Sequence, residues 1–284
     1  MIDKVALLLW LQWPYKTQSQ FITILELANK KGFDKDKLEK DFYLTAILIY
    51  IGQNHPELIF KWWTCLNKIY FDYFRLSEDL DFTLCFQGSE KERYNKLKEY
   101  RTIFTRIADS LWMSLKQGIH TWQFRNTFGQ TILEYKSVFD NTVKEIQLEI
   151  SIKDSLLLDP IRKKVLAPFV DPLTWENLFE NEGLMCIDLD EAMAEKMRAA
   201  LTRRDPAIRD FYDIQYAQKH QKFDFDAIAY MIDKKCEESL YQYTIDDAYD
   251  LLKKDIKPKL DPVLYAGYEF DFDQAYNFIL QFKK

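Results

Sequence analysis

The stretch RLSEDLDF, residues 75–82, decides the fold that this sequence predicts. Its second half alternates, with Leu80 and Phe82 on one side and Asp79 and Asp81 on the other, which is typical of a half-buried strand. Two aspartates at positions i and i+2 of a strand project from the same face. Such a pair can hold Mg²⁺, which prefers oxygen ligands and shares them with substrate phosphates. In a chain with 45 acidic residues, however, two solvated strand carboxylates are the more frequent origin of this spacing.

A third carboxylate lies on a later strand. Residues 143–152 alternate between apolar and polar side chains, and Glu149 is on the polar side. If this strand neighbours the one that carries Asp79 and Asp81, three carboxylates converge on one face of a sheet. The alternative for Glu149 is an exposed strand residue, and the spacing alone favours that alternative.

A short apolar segment and a helix precede the aspartate strand. Helical spacing begins near residue 65, and Lys61 and Thr64 come immediately before it, with Thr64 in position to cap the helix. Free backbone N–H groups and the positive end of a helix dipole favour a phosphate there. The order of strand, turn, helix and aspartate-bearing strand is typical of a nucleotidyltransferase.

The patterns along the chain predict an α+β fold, a nucleotidyltransferase-like mixed sheet with flanking helices, followed by a mainly helical C-terminal region. Helical periodicity covers residues 17–50, as two helices joined near residues 31–36, and residues 89–115. Strand patterns cover residues 121–125, 131–139 and 143–152.

Helices dominate the chain after residue 160. One is expected at residues 191–201, capped by Asp188 or Asp190, and the next begins at Asp205 as the N-cap, followed by Pro206 in the first turn. This shift from strands to helices predicts a boundary near residue 165. It divides the chain into a nucleotidyltransferase-like domain with N-terminal helices, residues 1–165, and a mainly helical domain, residues 166–284.

Composition excludes several classes of protein. The chain has 284 residues, 48% of them hydrophobic, and a formal charge of −6, so it can bury a sizeable core and is not intrinsically disordered. The four cysteines have no CxxC spacing and the three histidines form no ligand cluster, which argues against structural zinc and a disulfide framework. The apolar run at residues 5–13 is interrupted by Gln12 and fits neither a signal peptide nor a membrane span. We therefore expect a soluble cytoplasmic protein without membrane contact.

The net negative charge argues against nonspecific coating of nucleic acid. Two basic clusters, at residues 91–106 and 162–164, could nevertheless meet RNA phosphates. Acidic neighbours dilute the first cluster, so a solvated helix face is the favoured interpretation of it.

Two separated stretches resemble a known family. Residues 60–68, FKWWTCLNK, and residues 74–82, FRLSEDLDF, are similar to the signature of the AbiEii/AbiGii-type toxin nucleotidyltransferases of the DNA polymerase β superfamily. That signature is Phe-Lys-Gly-Gly-Thr, then Arg-Phe-Ser-Glu-Asp, a hydrophobic residue and Asp-Phe. Residues 195–213 resemble the C-terminal Glu-Lys-x-x-Ala and Arg-Asp-x-Tyr-Asp block of the family, and residues 38–44, LEKDFYL, also have its character. The matches run in the family's order.

The resemblance implies roles for particular residues. It implies that Asp79 and Asp81 hold Mg²⁺ or Mn²⁺, with Glu149 as a third ligand. The same resemblance implies catalytic roles for Lys196 and Asp210, which would face the same cleft as the aspartates. The residues implied to bind the nucleotide are Lys61, Thr64, Ser77 and Arg209.

For Arg209, the alternative is a helical i,i+4 salt bridge with Asp213. Tyr212, between them, is expected in the core.

The resemblance also implies an activity and partners. It implies transfer of NMP from an NTP to an RNA acceptor, with tRNA expected, in a bacterial abortive-infection or toxin–antitoxin system, with an antitoxin protein as a partner. A rival interpretation is a catalytically inactive nucleotidyltransferase fold that acts by binding a partner. A third is a kinase-like or nucleotide-hydrolysing enzyme on the same fold.

One departure from the family pattern concerns the phosphate turn. Where the family has Gly-Gly, this chain has Trp62 and Trp63. Glycines let a backbone approach phosphates and adopt torsions that a residue with a Cβ resists, so two indoles are expected to obstruct a triphosphate. Three explanations stay open: a reshaped pocket, lost nucleotide binding, or a deliberate substitution.

Overall fold

The computed structural model describes residues 18–116, 122–123, 127–153, 156–239, 244–265 and 267–283. Eight strands of this described part form one mixed sheet in the order β3-β5-β6-β2-β1-β8-β7, with β4 also paired to β5. The strands are β1 (Ile59–Lys61), β2 (Asp79–Cys85), β3 (Ser114–Leu115), β4 (Trp122–Gln123), β5 (Phe128–Lys136), β6 (Val143–Lys153), β7 (Ile161–Lys163) and β8 (Leu184–Cys186).

Helices flank the sheet and dominate the C-terminal region. The α-helices are α1 (Gln18–Ala28), α2 (Lys35–Asn54), α3 (Trp62–Cys65), α4 (Glu90–Ser110), α5 (Leu189–Thr202), α6 (Ile208–His220), α7 (Phe225–Ser239), α8 (Tyr249–Asp255) and α9 (Phe272–Leu280). Single π-helical turns, Leu66–Tyr70 and Ile256–Leu260, continue α3 and α8. The predicted α+β class, with a mixed sheet, flanking helices and a helical C-terminal region, is confirmed.

The centre of the sheet is built around β2. This strand runs parallel to β6 and antiparallel to β1, and β1 runs parallel to β8. Leu80 and Phe82 are fully buried on one face of β2, as the alternation predicts, and Phe60 of β1 packs against Phe82 at 5.5 Å between ring centroids. The apolar face of the central strands is thus sealed, and their polar side chains are left to the opposite face.

Two helix starts differ from the sequence prediction. The helix after β1 begins at Trp62, so Thr64 lies inside it, and its hydroxyl is bonded to the neighbouring strand rather than to a helix end. Helix α6 begins at Ile208, since its N-cap, Ala207, still has the extended conformation, with φ −105° and ψ 122°, and Asp205 and Pro206 therefore lie before the helix. Asp188 caps α5 by accepting from the amide of Asp190, one of the two caps that the sequence allowed.

The segment at residues 38–44 ties α2 to the rest of the molecule through its charged side chains. Lys68, in the π-helical turn, donates to a carboxylate oxygen of Asp41 at 2.7 Å, and both side chains are fully buried. Lys40, which precedes Asp41 on α2, has its ammonium group 3.5 Å from the carboxylate of Glu78. Glu78 lies in the stretch that leads into β2. Helix α2 therefore holds two points of the segment that leads into the aspartate strand.

Several sequence predictions fall at the edge of the described residues. Of the predicted strand at residues 121–125, Trp122–Gln123 is a strand and the other three residues lie outside the described part, as does the apolar run at residues 5–13. Within the described part, no helix is long and apolar enough to cross a membrane. The boundary near residue 165 stays a prediction, although β8 of the second half pairs with β1 of the first.

Candidate active site

Strand pairing brings the carboxylates together. In the register of the sheet, Asp81 lies opposite Lys61 of β1 on one side and opposite Glu149 of β6 on the other. Asp79 is two residues earlier on β2 and therefore shares the face of Asp81. The condition that the sequence left open for Glu149, adjacency of the two strands, is met.

Hydrogen bonds hold the edges of this carboxylate group. Glu149 accepts from the side-chain amide of Gln130 at 2.9 Å and from that of Gln147. The Thr64 hydroxyl lies 2.5 Å from the carbonyl oxygen of Asp79 and 2.7 Å from Ser77 Oγ. Thr64 therefore fixes the start of β2 through its side chain.

Ser77 continues this chain of contacts, because its hydroxyl donates to Asp79 Oδ1 at 3.3 Å.

The carboxylates repel one another in a poorly solvated place. Asp81 is only 6% exposed, and its Oδ2 has no hydrogen-bond partner within the described part of the chain. Burial, reinforced by the charges of Asp79 and Glu149, holds the pKa of Asp81 well above its ordinary value. Burial also raises the pKa of Asp79, against the opposing effect of the Arg75 and Arg209 charges. A cation placed here would relieve both effects.

The donor set suits a hard divalent cation. Aspartate and glutamate oxygens are the ligands that Mg²⁺ prefers, and the buried Oδ2 of Asp81 lacks a donor of its own. Across the described residues, no group of three or more His, Cys, Asp or Glu side chains is arranged to hold a metal ion as it stands, so Asp79, Asp81 and Glu149 do not form a complete three-ligand site. The group fits an ion that takes part of its coordination from water or from substrate phosphates, which is the usual habit of Mg²⁺.

Lys61 supplies a buried positive charge beside the carboxylates. Its ammonium group donates to Ser151 Oγ at 2.8 Å. Burial lowers the pKa of Lys61 to about 8, and the charge of Glu195 on α5 opposes this shift most strongly. Lys61 is thus held on the strand face by Ser151 and feels the charge of the helical region.

A buried ion network connects the segment before β2 with α5 and α6. Arg75 donates twice to the carboxylate of Asp213, from Nε at 2.6 Å and from Nη2 at 2.8 Å, with both side chains buried. The ammonium group of Lys196 pairs with the same carboxylate and lies 3.6 Å from Asp210 Oδ1. Burial lowers the pKa of Lys196 to about 8. Lys196 therefore contacts both carboxylates of α6, whereas Arg75 is bonded to Asp213.

The three implied site residues of the helical half differ in accessibility. Lys196 and Asp210 are 3% and 1% exposed, so they lie inside the network rather than on an open cleft. Arg209 is partly exposed and lies 3.7 Å from Glu78, and its charge acts on Asp79.

The helical salt bridge considered for Arg209 is not formed, because Arg75 and Lys196 occupy its intended partner, Asp213. Tyr212 is buried, as expected.

The two indoles lie over the cations of this network. Trp62 has a left-handed backbone conformation, φ 63°, which is the conformation that a glycine adopts without strain. The ring of Trp63 has Lys196 Nζ 3.3 Å from its centroid, and the guanidinium of Arg203 lies 4.8 Å from the same ring. The crevice between the indoles and α5 has about 10 Å³ of free volume, room for about one water molecule.

Sequence reasoning gave no site role to Arg75 and Arg203. A charged residue between Phe74 and Leu76, both apolar, is a signal for a buried ion pair, but the sequence does not identify its partner 138 residues away. Arg203 lies within the C-terminal match, and its contact with the tryptophans depends on how α5 crosses the turn after β1.

The basic cluster at residues 91–106 lies on α4. Lys96 is paired with Glu99 at 3.0 Å, and Arg93 donates to the carbonyl oxygen of Gly88 at 2.6 Å. These contacts are those of a solvated helix face, the interpretation that the sequence favoured.

Comparison with known proteins gives one family and one fold. The family model described as "Nucleotidyl transferase AbiEii toxin, Type IV TA system" matches residues 47–277. The crystal structure of JHP933 from Helicobacter pylori matches with a TM-score of 0.54 at 18% identity, over 88% of this chain and 91% of the other. A second H. pylori structure, of a candidate nucleotidyltransferase, gives 0.51 at 19% identity, over 88% and 94%. Among curated proteins, none matches the sequence. At these identities, the structural likeness shows the fold alone.

Proposed function

We propose that this chain, which belongs to the AbiEii family of toxin nucleotidyltransferases of type IV toxin–antitoxin systems, transfers NMP from an NTP to tRNA. One observation supports this activity above the others. The register of three strands puts Lys61, Asp81 and Glu149 side by side, with Asp79 on the same face. A cation beside three carboxylates, of which Asp81 is buried, is suited to a charged phosphate substrate and its metal ion.

The reaction is an in-line displacement at the α-phosphorus. A hydroxyl oxygen of the acceptor forms the new P–O bond, the bond to pyrophosphate breaks, and the hydroxyl proton is released. When bound to Asp79, Asp81 and Glu149, Mg²⁺ or Mn²⁺ supplies positive charge against the phosphate oxygens and favours ionisation of the attacking hydroxyl. Catalysis of this kind depends mainly on positioning and on charge neutralisation.

The remaining site residues are assigned to binding and orientation. Lys61, which is opposite Asp81 in the sheet register, and Arg209, which lies 3.7 Å from Glu78, bind phosphate oxygens. Thr64 and Ser77 bind the nucleotide and hold Asp79 in place through their hydroxyl contacts. Lys196 and Asp210 bind phosphate or orient the attacking hydroxyl. Because both side chains are buried, the side chains packed over them must move before they can do so.

The acceptor, the partner and the location follow from the proposed system. We assign tRNA as the acceptor, a neighbouring antitoxin protein as the partner that limits toxicity, and the cytoplasm as the compartment where both occur. The exposed basic segment Ile161–Lys163 and Lys164, which adjoin the sheet edge, are candidates for contact with RNA phosphates.

The test is transfer of label. Total tRNA is incubated with the protein, Mg²⁺ and each α-³²P-labelled NTP in turn, and the mass of the product RNA is measured. We expect the addition of NMP from at least one NTP, its loss in Asp79→Asn, and full activity in Asp109→Asn, which changes an exposed aspartate at the end of α4. Label that goes to inorganic phosphate or to protein instead of RNA would contradict the assignment.

A second candidate function is supported by the tryptophan contacts. A nucleotidyltransferase fold whose phosphate turn is filled by Trp62 and Trp63 can act as an inactive binding protein, because the crevice beside them holds about one water molecule. Calorimetry with Mg²⁺ and each NTP separates the two. Absence of NTP binding by the folded wild-type chain at millimolar nucleotide favours this second function, and NMP transfer by that chain excludes it.

A further inference from the structure

The indoles of Trp62 and Trp63 lie among three cations. Lys61 Nζ is 5.0 Å from the centroid of the Trp62 ring, and Lys196 Nζ is 3.3 Å from that of Trp63. The Arg203 guanidinium is 5.0 Å from the first ring and 4.8 Å from the second. Because the face of an indole carries negative charge density, it attracts cations as an anion does. The two rings therefore occupy the position of an anion between three positive side chains.

Acidic groups contact two of these cations, and Lys196 is paired with Asp213. Asp210 lies 3.6 Å from both Lys196 and Arg203, and within the described part neither of its oxygens has a hydrogen-bond donor. Asp213 is shared between Lys196 and Arg75, and Glu195 is bonded to Lys153 and Lys235. These carboxylates partly compensate the buried positive charges. The faces of the indole rings cover the sides of the cations that the carboxylates do not contact.

The backbone of the turn keeps the conformation that glycine favours. Trp62 has φ 63°, where a large aromatic side chain is strained, and such strain persists only when surrounding contacts impose it. The turn has therefore retained the torsion of a glycine-bearing turn, and only the side chains fill the space in front of it. Moving the indoles would expose the turn without remaking its backbone.

The space itself shows why the indoles must move before a large anion enters. The crevice has about 10 Å³ of free volume and is lined by Trp62, Trp63, Leu66, Ala192, Glu195 and Lys196. That volume accepts about one water molecule, far less than a single phosphate group requires.

We propose that Trp62 and Trp63 are an internal gate, whose indoles cap a polyphosphate site formed by Lys61, Lys196 and Arg203 and are displaced by the phosphate chain of an NTP. This inference rests on the proposed function, because it names the phosphate chain of the substrate as the ligand. The apparent affinity equals the affinity of the open site multiplied by the fraction of molecules in which the indoles are displaced. Binding is then weak but present, and removal of the rings strengthens it.

Calorimetry tests the gate with inorganic tripolyphosphate and, separately, with a non-hydrolysable NTP and Mg²⁺. Three folded proteins are compared: the wild type, the double variant Trp62→Gly/Trp63→Gly and the control Trp175→Gly. Trp175 also has a left-handed backbone, φ 62°, is 67% exposed, and no lysine or arginine of the described part lies over its ring. We expect the double variant to bind both ligands at least about tenfold more tightly, as removal of a closed state predicts, and the control to be unchanged.

Indole fluorescence of the wild type gives a second measurement. It does not depend on a variant that removes two large side chains from the protein. Displacement of the Trp63 ring from Lys196 should give a saturable change in emission when tripolyphosphate is added. Trp63→Phe, which keeps an aromatic ring, should lose most of that change. A wild type that binds as tightly as the double variant, or a folded double variant that binds neither ligand, would overturn the gate.

The two proposals fail separately. Tighter tripolyphosphate binding by the double variant without NMP transfer to any RNA keeps the gate and rejects the transferase. Wild-type transfer to tRNA with an affinity that the double variant does not improve rejects the gate and keeps the transferase. Binding of tripolyphosphate without binding of the NTP analogue identifies a polyphosphate site that excludes nucleosides, which contradicts the gate as stated.

Discussion

At the scale of single residues, burial and two neighbouring carboxylates disfavour the charged form of Asp81. It lies between Asp79 and Glu149, is almost completely buried, and one of its oxygens has no hydrogen-bond donor in the described part. The raised pKa of Asp81 means that the folded chain binds its proton more tightly than the unfolded chain. Stability is therefore lost as the pH rises above the ordinary pKa of an aspartate, about 3.9, toward the folded value.

We predict that Asp81→Asn stabilises the metal-free protein at pH 7 by about 1–2 kcal/mol, because the amide removes the buried like charge. The gain over wild type should grow as the pH rises above about 4 and should be small below about 3, where the wild-type carboxyl is protonated in both states. Urea unfolding in EDTA at several pH values measures it. Addition of Mg²⁺ should stabilise the wild type and not the variant.

Asp109→Asn is the matched control, since this aspartate is exposed. A loss of stability in Asp81→Asn at pH 7 would mean that the carboxylate makes a structural contact that outweighs its repulsion by Asp79 and Glu149.

At the scale of elements, one ion pair fastens α6 to the segment before β2. Arg75 and Asp213 are 138 residues apart in the chain, fully buried, and joined by two hydrogen bonds. The attraction is offset by the cost of removing both charges from water, so the pair adds little net stability. Removal of Asp213 leaves Arg75 and Lys196 buried without their shared carboxylate, whereas removal of Arg75 leaves Asp213 paired with Lys196.

We predict that Asp213→Asn lowers the free energy of unfolding by about 3–5 kcal/mol, since Arg75 then keeps its charge without a carboxylate. The double variant Arg75→Met/Asp213→Asn should lose less than the sum of the single variants. Chemical denaturation of the four proteins of this cycle gives the coupling. Glu99→Gln, which breaks an exposed pair with Lys96, is the control and should change stability by less than about 0.5 kcal/mol. Additive losses in the cycle would show that the two side chains act independently.

At the scale of the whole molecule, the candidate site needs both halves of the chain. Strand β1, which carries Lys61, is only three residues long and lies between β2 and β8, and β8 comes from the second half. Lys153 of β6 donates to Glu195 of α5 at 2.9 Å, and Arg75 has its carboxylate partner on α6. The boundary near residue 165 therefore divides the sequence at a place where the folded halves share a sheet and buried charges.

We predict that a fragment of residues 1–165 does not fold cooperatively, because it loses the parallel neighbour of β1 and leaves Arg75 without a partner. The full chain should unfold in one transition. Thermal melts followed by far-UV circular dichroism measure both, and limited proteolysis gives an independent check. A sharp transition in the fragment would establish the first domain as a separate folding unit.

The sequence by itself determined the features whose pattern is local. Period-two alternation placed Asp79 and Asp81 on one face of a strand, and the apolar stripe of the helices and the change from strands to helices gave the α+β class. The motifs around residues 60–82 and 195–213 indicated the family, which the match over residues 47–277 shows. These signals can be read from the sequence alone because each depends on residues that are close together along the chain.

Only the tertiary structure decided which distant side chains meet. The register of β2 with β6 put Glu149 opposite Asp81, and the crossing of α5 over the turn after β1 put Lys196 against the ring of Trp63. Thr64, which the sequence predicts as a helix cap, instead donates its hydroxyl hydrogen bond to the carbonyl oxygen of Asp79 in the folded chain. Ion pairs, cation–π contacts and buried hydrogen bonds have ranges of a few ångströms in space and no fixed separation along the chain, so the topology selects their partners.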